Sequence, residues 1–340
     1  LSMESAQKFI FGATGFIGGS IVRALGGANA NLKKNIAVFK RKESSLAKVG
    51  IEGVASCDGD LSDAASIVQA YKRFQSPPEV VFSAAYYPLL AGNASAQLQI
   101  AQTQLKNVLA ATPNESPFLF VSSISTIGVH ADYPFSNEDT PFDSELVHST
   151  YYRIKRQLEK DVLDWAKTRS GRTVVVNPVA VFGEYDVKPT TSRIVDDAAN
   201  GHLAVRLRGK SNVADIRDIA QGILAALEKG RSGERYILGG ENTTVEEFSD
   251  MVCDVVGRRR PFLPMPFHVV RAAAQVSESL HTLFKRPGPP LIPVVGIDLV
   301  QNSMHVSAEK ARRELGYTHG PVRPAIQRAY AWFKANGYLS

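Results

Sequence analysis

The chain has 340 residues, 44% hydrophobic and 21% charged, an ordinary globular composition with apolar material for one large unit or two smaller ones. Its two cysteines, Cys57 and Cys253, lie far apart and outside any CxxC pattern, and its seven histidines show no HxxH or HExxH spacing; a disulfide framework is excluded and no metal is expected. A net charge of +6 suits an anionic ligand but is too mild and dispersed to argue for nucleic acid, and no window offers the roughly 20 apolar residues of a membrane span.

Met3 is read as the natural start, with polar Glu4 to Lys8 after it in place of a secretory leader, so cytoplasmic residence is the default expectation. Residues 8–11 then read as a short strand that runs into Gly12-Ala13-Thr14-Gly15-Phe16-Ile17-Gly18 and a helix over 16–25. A tight turn needs Gly12, close approach of backbone to a pyrophosphate needs Gly15, and packing the helix on the strand needs Gly18. The helix start aims unpaired N–H groups at the phosphates, with Thr14, Phe16 and Ile17 in the same cradle.

Further strands are predicted over 36–39, 54–57, 80–83, 118–122 and 173–176, alternating with helices over 63–74, 94–111 and 150–168, with Ser62 as an N-cap and Gly171 as a stop. Such alternation predicts an α/β fold, a doubly wound parallel Rossmann sheet. A helix over 215–228 and a strand over 234–238 return the chain to that sheet. The expected division is therefore 8–183 plus 214–240 for the dinucleotide-binding unit. Residues 184–213 plus 241–340, richer in Pro and basic residues, form a smaller substrate lobe over the C-terminal ends of the strands.

Tyr151 and Lys155 stand four residues apart, one turn apart on one helix face. A nearby cation lowers a phenol's pKa and brings proton transfer nearer neutrality; the plainer alternative is a solvated pair on an exposed helix. Tyr152 competes for the role, but its partner at the same spacing is Arg156, whose proton does not exchange at working pH. Ser123, at the end of a buried-type strand, is placed to hydrogen-bond a substrate oxygen; serines after strands also serve simply to satisfy turn backbone.

Gly12-x-x-Gly15-x-x-Gly18, Asp60-Leu61, Ser123 with Gly128 after it, and Tyr151-x-x-x-Lys155, in that order, together resemble the extended short-chain dehydrogenase/reductase family, also called the NAD-dependent epimerase/dehydratase family. The likeness runs from about residue 8 to about residue 338. Asn177-Pro178 through Gly183, Asp186 to Thr190, Gly239 to Asn242 and Glu314 to Tyr317 resemble its hopanoid-associated sugar epimerase subgroup, itself close to dihydroflavonol-reductase-like proteins. The resemblance implies hydride transfer in which Tyr151 is the general acid/base, Lys155 lowers its pKa and holds the nicotinamide ribose, and Ser123 orients the substrate carbonyl. It also implies that Asp60 and Leu61 flank the adenine, that Ala84 and Ala85 line the cofactor through backbone, and that Pro178 and Val179 sit by the nicotinamide.

Cofactor choice is read from charge: an acidic residue after the second strand accepts the ribose hydroxyls of NAD, a basic one accommodates the phosphate of NADP. Here Lys40-Arg41-Lys42 follow it, so NADP(H) is expected to be preferred over NAD(H), with Arg41 as the phosphate ligand. Two departures from the family pattern stand out. An Asn common in the helix after the fourth strand is replaced by Ala101 or Gln102, and no diphosphate-binding Arg precedes residues 211–218, where Lys210, Arg206 and Arg208 are the substitutes.

The expected activity is NADP(H)-dependent reduction of a ketone or aldehyde on a small, fairly apolar molecule, or oxidation of the alcohol, with Tyr86, Tyr87, Leu89 and Phe182 lining the substrate lobe. An NAD-dependent nucleotide-sugar epimerase or dehydratase is the alternative. A non-catalytic dinucleotide sensor is disfavoured by the intact Ser123, Tyr151 and Lys155. Residues 258–290, with Arg258-Arg259-Arg260 at one end and Lys285-Arg286 at the other, invite a membrane-surface reading. The expectation taken is instead a helix on the substrate lobe with a solvated basic edge, without membrane association. The family resemblance also implies a homodimer built on the helices over 94–111 and 150–168.

Overall fold

Seven short strands, β1 (Lys8–Phe11), β2 (Ile36–Lys40), β3 (Ala55–Asp58), β4 (Glu79–Phe82), β5 (Phe118–Val121), β6 (Thr173–Pro178) and β10 (Arg235–Leu238), form one parallel sheet in the order β10-β6-β5-β4-β1-β2-β3. The computed structural model describes residues 2–26, 33–84, 94–129, 134–142, 149–189, 191–284 and 293–339. Because side chains alternate across a strand, Phe9 and Phe11 of β1 and Phe118 and Phe120 of β5 face one apolar layer, whereas Ile10, Leu119 and Val121 face the other. Helices α2 (Ala64–Tyr71), α3 (Ala94–Ala111) and α4 (Thr150–Ala166) cover the phenylalanine side, and α1 (Phe16–Gly26) and α6 (Ile216–Lys229) the other. Coverage on both faces explains why these strands read as continuous apolar runs.

The chain reverses winding direction between β1 and β4, both paired in register with Phe11 opposite Phe82. The crevice at that switch point, along the C-terminal strand ends, is where open α/β sheets bind ligands.

Three local expectations are corrected. The cap of α2 is Asp63, not Ser62: the Asp63 carboxylate accepts the Ala65 N–H, while Ser62 donates its own N–H to Asp60. Helix α4 stops at Lys167, before Gly171, which instead sits against the Ser116 carbonyl where a Cβ would come within 2.5 Å. Finally, β7 (Ala180–Phe182), placed by sequence with the first unit, pairs instead with β9 (Lys210–Asp215), which also pairs with β11 (Glu241–Thr244). Phe182 accordingly lies in that small sheet's core, its ring 4.7 Å from Phe248, and is packing rather than a substrate contact.

Helices α5 (Arg193–Ala199), α7 (Val245–Val256) and α11 (Arg323–Ala335) pack on this second sheet, and α10 (Glu309–Leu315) packs on α6. A capping box between Thr244 and Glu247 starts α7. Strands β8 (Val205–Arg206) and β12 (Leu263–Pro264) pair beside them. Helices α8 (Phe267–Leu283) and α9 (Val294–Gln301) pack on each other, and Val295 and Leu299 of α9 reach Tyr151 and Tyr152 on α4. Among the described residues no helix is long and apolar enough to cross a membrane.

Candidate active site

The three glycines after β1 differ in what the chain itself demands of them. Gly12 has φ +87°, and a Cβ there would meet the Ser83 carbonyl at 2.5 Å; at Gly18 a Cβ would meet the Gly12 carbonyl oxygen at 2.2 Å. Both are therefore required by the turn and by the contact of α1 with β1. Gly15 is different: it is exposed, and among the described residues a Cβ there would have only the Gly12 oxygen within 4 Å, at 3.3 Å. The described residues leave the space over the turn open, as a pyrophosphate lying on bare backbone at a helix start requires. Ala84 borders the same turn, its N 2.9 Å from where a Gly12 side chain would begin. Ala85, Tyr86, Tyr87 and Leu89 lie outside the described residues.

At the end of β5, Ser123 caps a short 3-10 helix (Ile124–Thr126), its Oγ accepting the Ser125 N–H at 3.2 Å. The Tyr151 hydroxyl donates to the same Oγ at 3.3 Å. Helix α4 brings them together because its inward stripe carries Tyr151, Lys155, Leu158, Glu159 and Val162, while Arg153, Arg156 and Lys160 face solvent. Tyr151 and Lys155 are 8% and 7% exposed, so the solvated-pair alternative does not describe them.

The electrostatics differ from the simple expectation. Burial raises the Tyr151 phenol above its ordinary range, opposed by the Ser123 and Ser125 hydroxyls. Lys155, with its Nζ 5.9 Å from the Tyr151 ring centre, is brought down to about 8 by burial, opposed by the charge of Glu159. The phenol is thus held in its acid form, and the ammonium beside it is held weakly.

Glu159 was not anticipated. Its Oε2 accepts hydrogen bonds from Ser122 Oγ (2.5 Å), Thr126 Oγ1 (2.7 Å) and Asn177 Nδ2 (2.7 Å), and its Oε1 accepts from Arg235 at 3.1 Å. Asn177 Nδ2 also reaches the Ser123 carbonyl oxygen at 3.2 Å. One buried carboxylate thereby ties β5, β6 and β10 to α4, fixing the turn that carries Ser123 against the helix that carries Tyr151 and Lys155. A carboxylate four residues after Lys155, between Leu158 and Val162 on the buried stripe, was the available signal. Since Glu159 favours the Lys155 ammonium, Glu159→Gln is expected to lower the Lys155 pKa further. An alkaline limb of kcat/KM that reports this ammonium in the free enzyme is then expected at lower pH in the variant than in the wild type. A pH–rate profile checks this, and an unmoved limb contradicts it.

At the other end of the crevice, Lys40 and Asp58 are register partners on β2 and β3, and their side chains pair at 2.6 Å. Arg41 is more exposed and pairs with Glu43 at 3.2 Å; Lys42 is exposed. Asp60 is exposed and Leu61 half-buried beside the phenylalanine layer, with its carbonyl oxygen accepting from Asn107. Pro178 is the register partner of Leu238, and Val179 is buried in the opposite layer. Gln102 donates to Asp161 and Ala101 is core, so neither supplies a polar group to Tyr151. Arg206 is held by Asp250 through two hydrogen bonds of 2.8 and 3.1 Å; Arg208 is exposed, 3.9 Å from Glu246, and Lys210 is exposed.

With this geometry in place, comparisons with known proteins give a consistent result. The chain is 27% identical over 333 residues to sterol demethylase protein B of Methylococcus capsulatus, covering 97% of this chain and 99% of that one. It is 24% identical over 336 residues to a 3 beta-hydroxysteroid dehydrogenase/Delta 5-->4-isomerase of Mycobacterium tuberculosis, covering 93% and 87%. The crystal structure of gox2253 superposes with a TM-score of 0.81 at 27% identity, over 99% of this chain and 100% of that one. Residues 9–239 match the model of the NAD dependent epimerase/dehydratase family. The chain belongs to that family and is an NAD(P)-dependent oxidoreductase of the extended short-chain dehydrogenase/reductase type.

Proposed function

We propose that the chain is an NADP(H)-dependent reductase of a ketone or aldehyde on a small, fairly apolar molecule. The observation that carries this reading is the meeting of Tyr151 and Ser123 hydroxyls, with Lys155 one turn away, at the sheet edge that also holds the open glycine turn. A nicotinamide cofactor held over the glycine turn would supply the hydride to the carbonyl carbon. Tyr151 gives its phenolic proton to the carbonyl oxygen, Ser123 hydrogen-bonds that oxygen, and Lys155 steadies the resulting phenolate until solvent reprotonates it. A phenol kept protonated by burial is in the form that gives its proton to the carbonyl oxygen.

Two further observations favour this over a nucleotide-sugar epimerase. Arg206, a candidate diphosphate clamp, is bound to Asp250. The relatives named above carry sterol and steroid names, which supports an apolar ring system as the substrate class. Residues 184–213 plus 241–340 supply the substrate selectivity in this reading.

The NADP preference rests on Lys42 and on Arg41, whose pair with Glu43 is exposed on both sides, since Lys40 is largely buried and engaged by Asp58. A charge-assisted hydrogen bond of about 1.5–3 kcal/mol corresponds to roughly 10- to 100-fold in affinity. NADPH is therefore expected to bind at least about tenfold more tightly than NADH, and Arg41→Ala to remove most of that difference. Paired titrations of both cofactors test it; equal affinities, or tighter NADH, refute it.

A further inference from the structure

Helix α8 is two-faced in an unusual sense. Its inward stripe, Val270, Ala274 and Glu278, is buried. It is fastened to α9 by Arg271 Nε on Asp298 (2.9 Å) and by Glu278, whose carboxylate accepts the Val294 N–H (2.8 Å). Its outward stripe is apolar as well: Val269, Val276, Leu280 and Leu283 recur at one helix face, the last 72% exposed. Phe262 and Leu263 before the helix and Phe284 after it are exposed too. Seven of the ten large hydrophobic side chains exposed among the described residues fall between 262 and 284. Scattered exposed apolar residues need no explanation, but a contiguous stripe does.

Charge identifies what fits the stripe. Residues 257–293 hold six Lys or Arg and one acidic residue, the buried Glu278, so this segment carries a net +5 of the chain's +6. Arg260 and Arg271 are paired with Asp254 and Asp298. Arg258 and Arg259 are exposed and precede the stripe in the sequence, Arg258 donating from Nε to the Ala199 carbonyl oxygen at 2.9 Å, and Lys285 and Arg286 follow it in the sequence. A twofold contact between two copies would set this positive segment against itself. An apolar face flanked by arginines, in a segment whose one acidic residue is the buried Glu278, matches instead the boundary between acyl chains and anionic headgroups.

We propose that α8 and its flanks dock the protein on an anionic lipid bilayer, with Val276, Leu280 and Leu283 in the acyl boundary and Arg258 and Arg259 at the phosphates. The basic edge expected to be solvated becomes part of this contact. Through α9, whose Val295 packs on Tyr151 and Tyr152, the docking hairpin is also a wall of the candidate active site. Delivery of an apolar, bilayer-resident substrate to that site rests on the reductase reading, whereas the docking does not.

The test is cosedimentation of the full chain with vesicles of phosphatidylcholine alone or mixed equally with phosphatidylglycerol, at low and physiological salt. The wild type is expected to pellet with the mixed vesicles, more strongly at low salt, and to remain largely in the supernatant with phosphatidylcholine. Val276→Glu/Leu280→Glu is expected to weaken partitioning at least about tenfold with unchanged thermal unfolding. Arg258→Gln/Arg259→Gln is expected to remove much of the preference for anionic vesicles. The proposal is overturned if the wild type stays in the supernatant with mixed vesicles at low salt, or if it pellets equally with both compositions. It is equally overturned if the glutamate variant binds vesicles as the wild type does, or only converts a dimer to a monomer in light scattering. Turnover of a water-soluble carbonyl without vesicles is read separately, so either proposal can fail alone.

Discussion

Tyr151→Phe is expected to lower kcat for carbonyl reduction by about 10²- to 10⁴-fold, the usual worth of a positioned general acid. Only the hydroxyl is lost, and that hydroxyl donates to Ser123 Oγ at the surface of a buried ring. The ring's packing on Val295, Tyr152, Phe142 and Leu299 stays, so thermal unfolding and NADPH affinity are expected to hold. Tyr152→Phe is the matched control, because Tyr152 lies beside Tyr151 with its ring centre 6.1 Å away but has Arg156 where Tyr151 has Lys155. It is expected to retain most of the turnover. Single-turnover and steady-state measurements on both variants check the assignment, and a Tyr151→Phe enzyme with near-normal kcat refutes it.

The second large effect separates the glycines. Gly18→Ala drives a Cβ into the Gly12 carbonyl, a backbone group that cannot swing aside. Overpacking of this kind costs roughly 1–3 kcal/mol or more. A lower unfolding temperature is expected whether or not a cofactor is present. Among the described residues Gly15→Ala meets one atom, at 3.3 Å, and is expected to cost far less stability than Gly18→Ala. Its methyl group nevertheless fills the space over the turn, so NADPH affinity is expected to fall at least about tenfold, since a pyrophosphate resting on the backbone loses its approach. Thermal unfolding with and without NADPH distinguishes the two. Gly15→Ala binding like the wild type would remove the glycine turn from the cofactor site.

How much of this was legible in the sequence follows from the range of each interaction. The glycine turn and the Tyr151–Lys155 pair are local, and strand and helix periodicity placed them at one sheet edge. The Lys40–Asp58 pair depends on strands β2 and β3 lying side by side, which no local pattern encodes; the basic triplet therefore looked more available than it is. Glu159 is local in spacing but gains its role from Ser122, Asn177 and Arg235, each 18 to 76 residues away. Phe182 was misread because β7 continues directly from β6 in sequence yet crosses into another sheet. For α8, the composition carried two apolar stripes, and only the packing of α9 decided which one faces outward.

The most direct test of the central claim follows the hydride. The full chain is incubated with NADPH carrying deuterium at both nicotinamide C4 positions and a panel of ketones and aldehydes on apolar ring systems, and the products are analysed by mass spectrometry against cofactor oxidised. The predicted result is one deuterium on the carbinol carbon of the product for each NADPH consumed, with product formed about 10²- to 10⁴-fold more slowly by Tyr151→Phe. Protein that carries NAD through purification, interconverts a nucleotide sugar and shows no net cofactor consumption would contradict it.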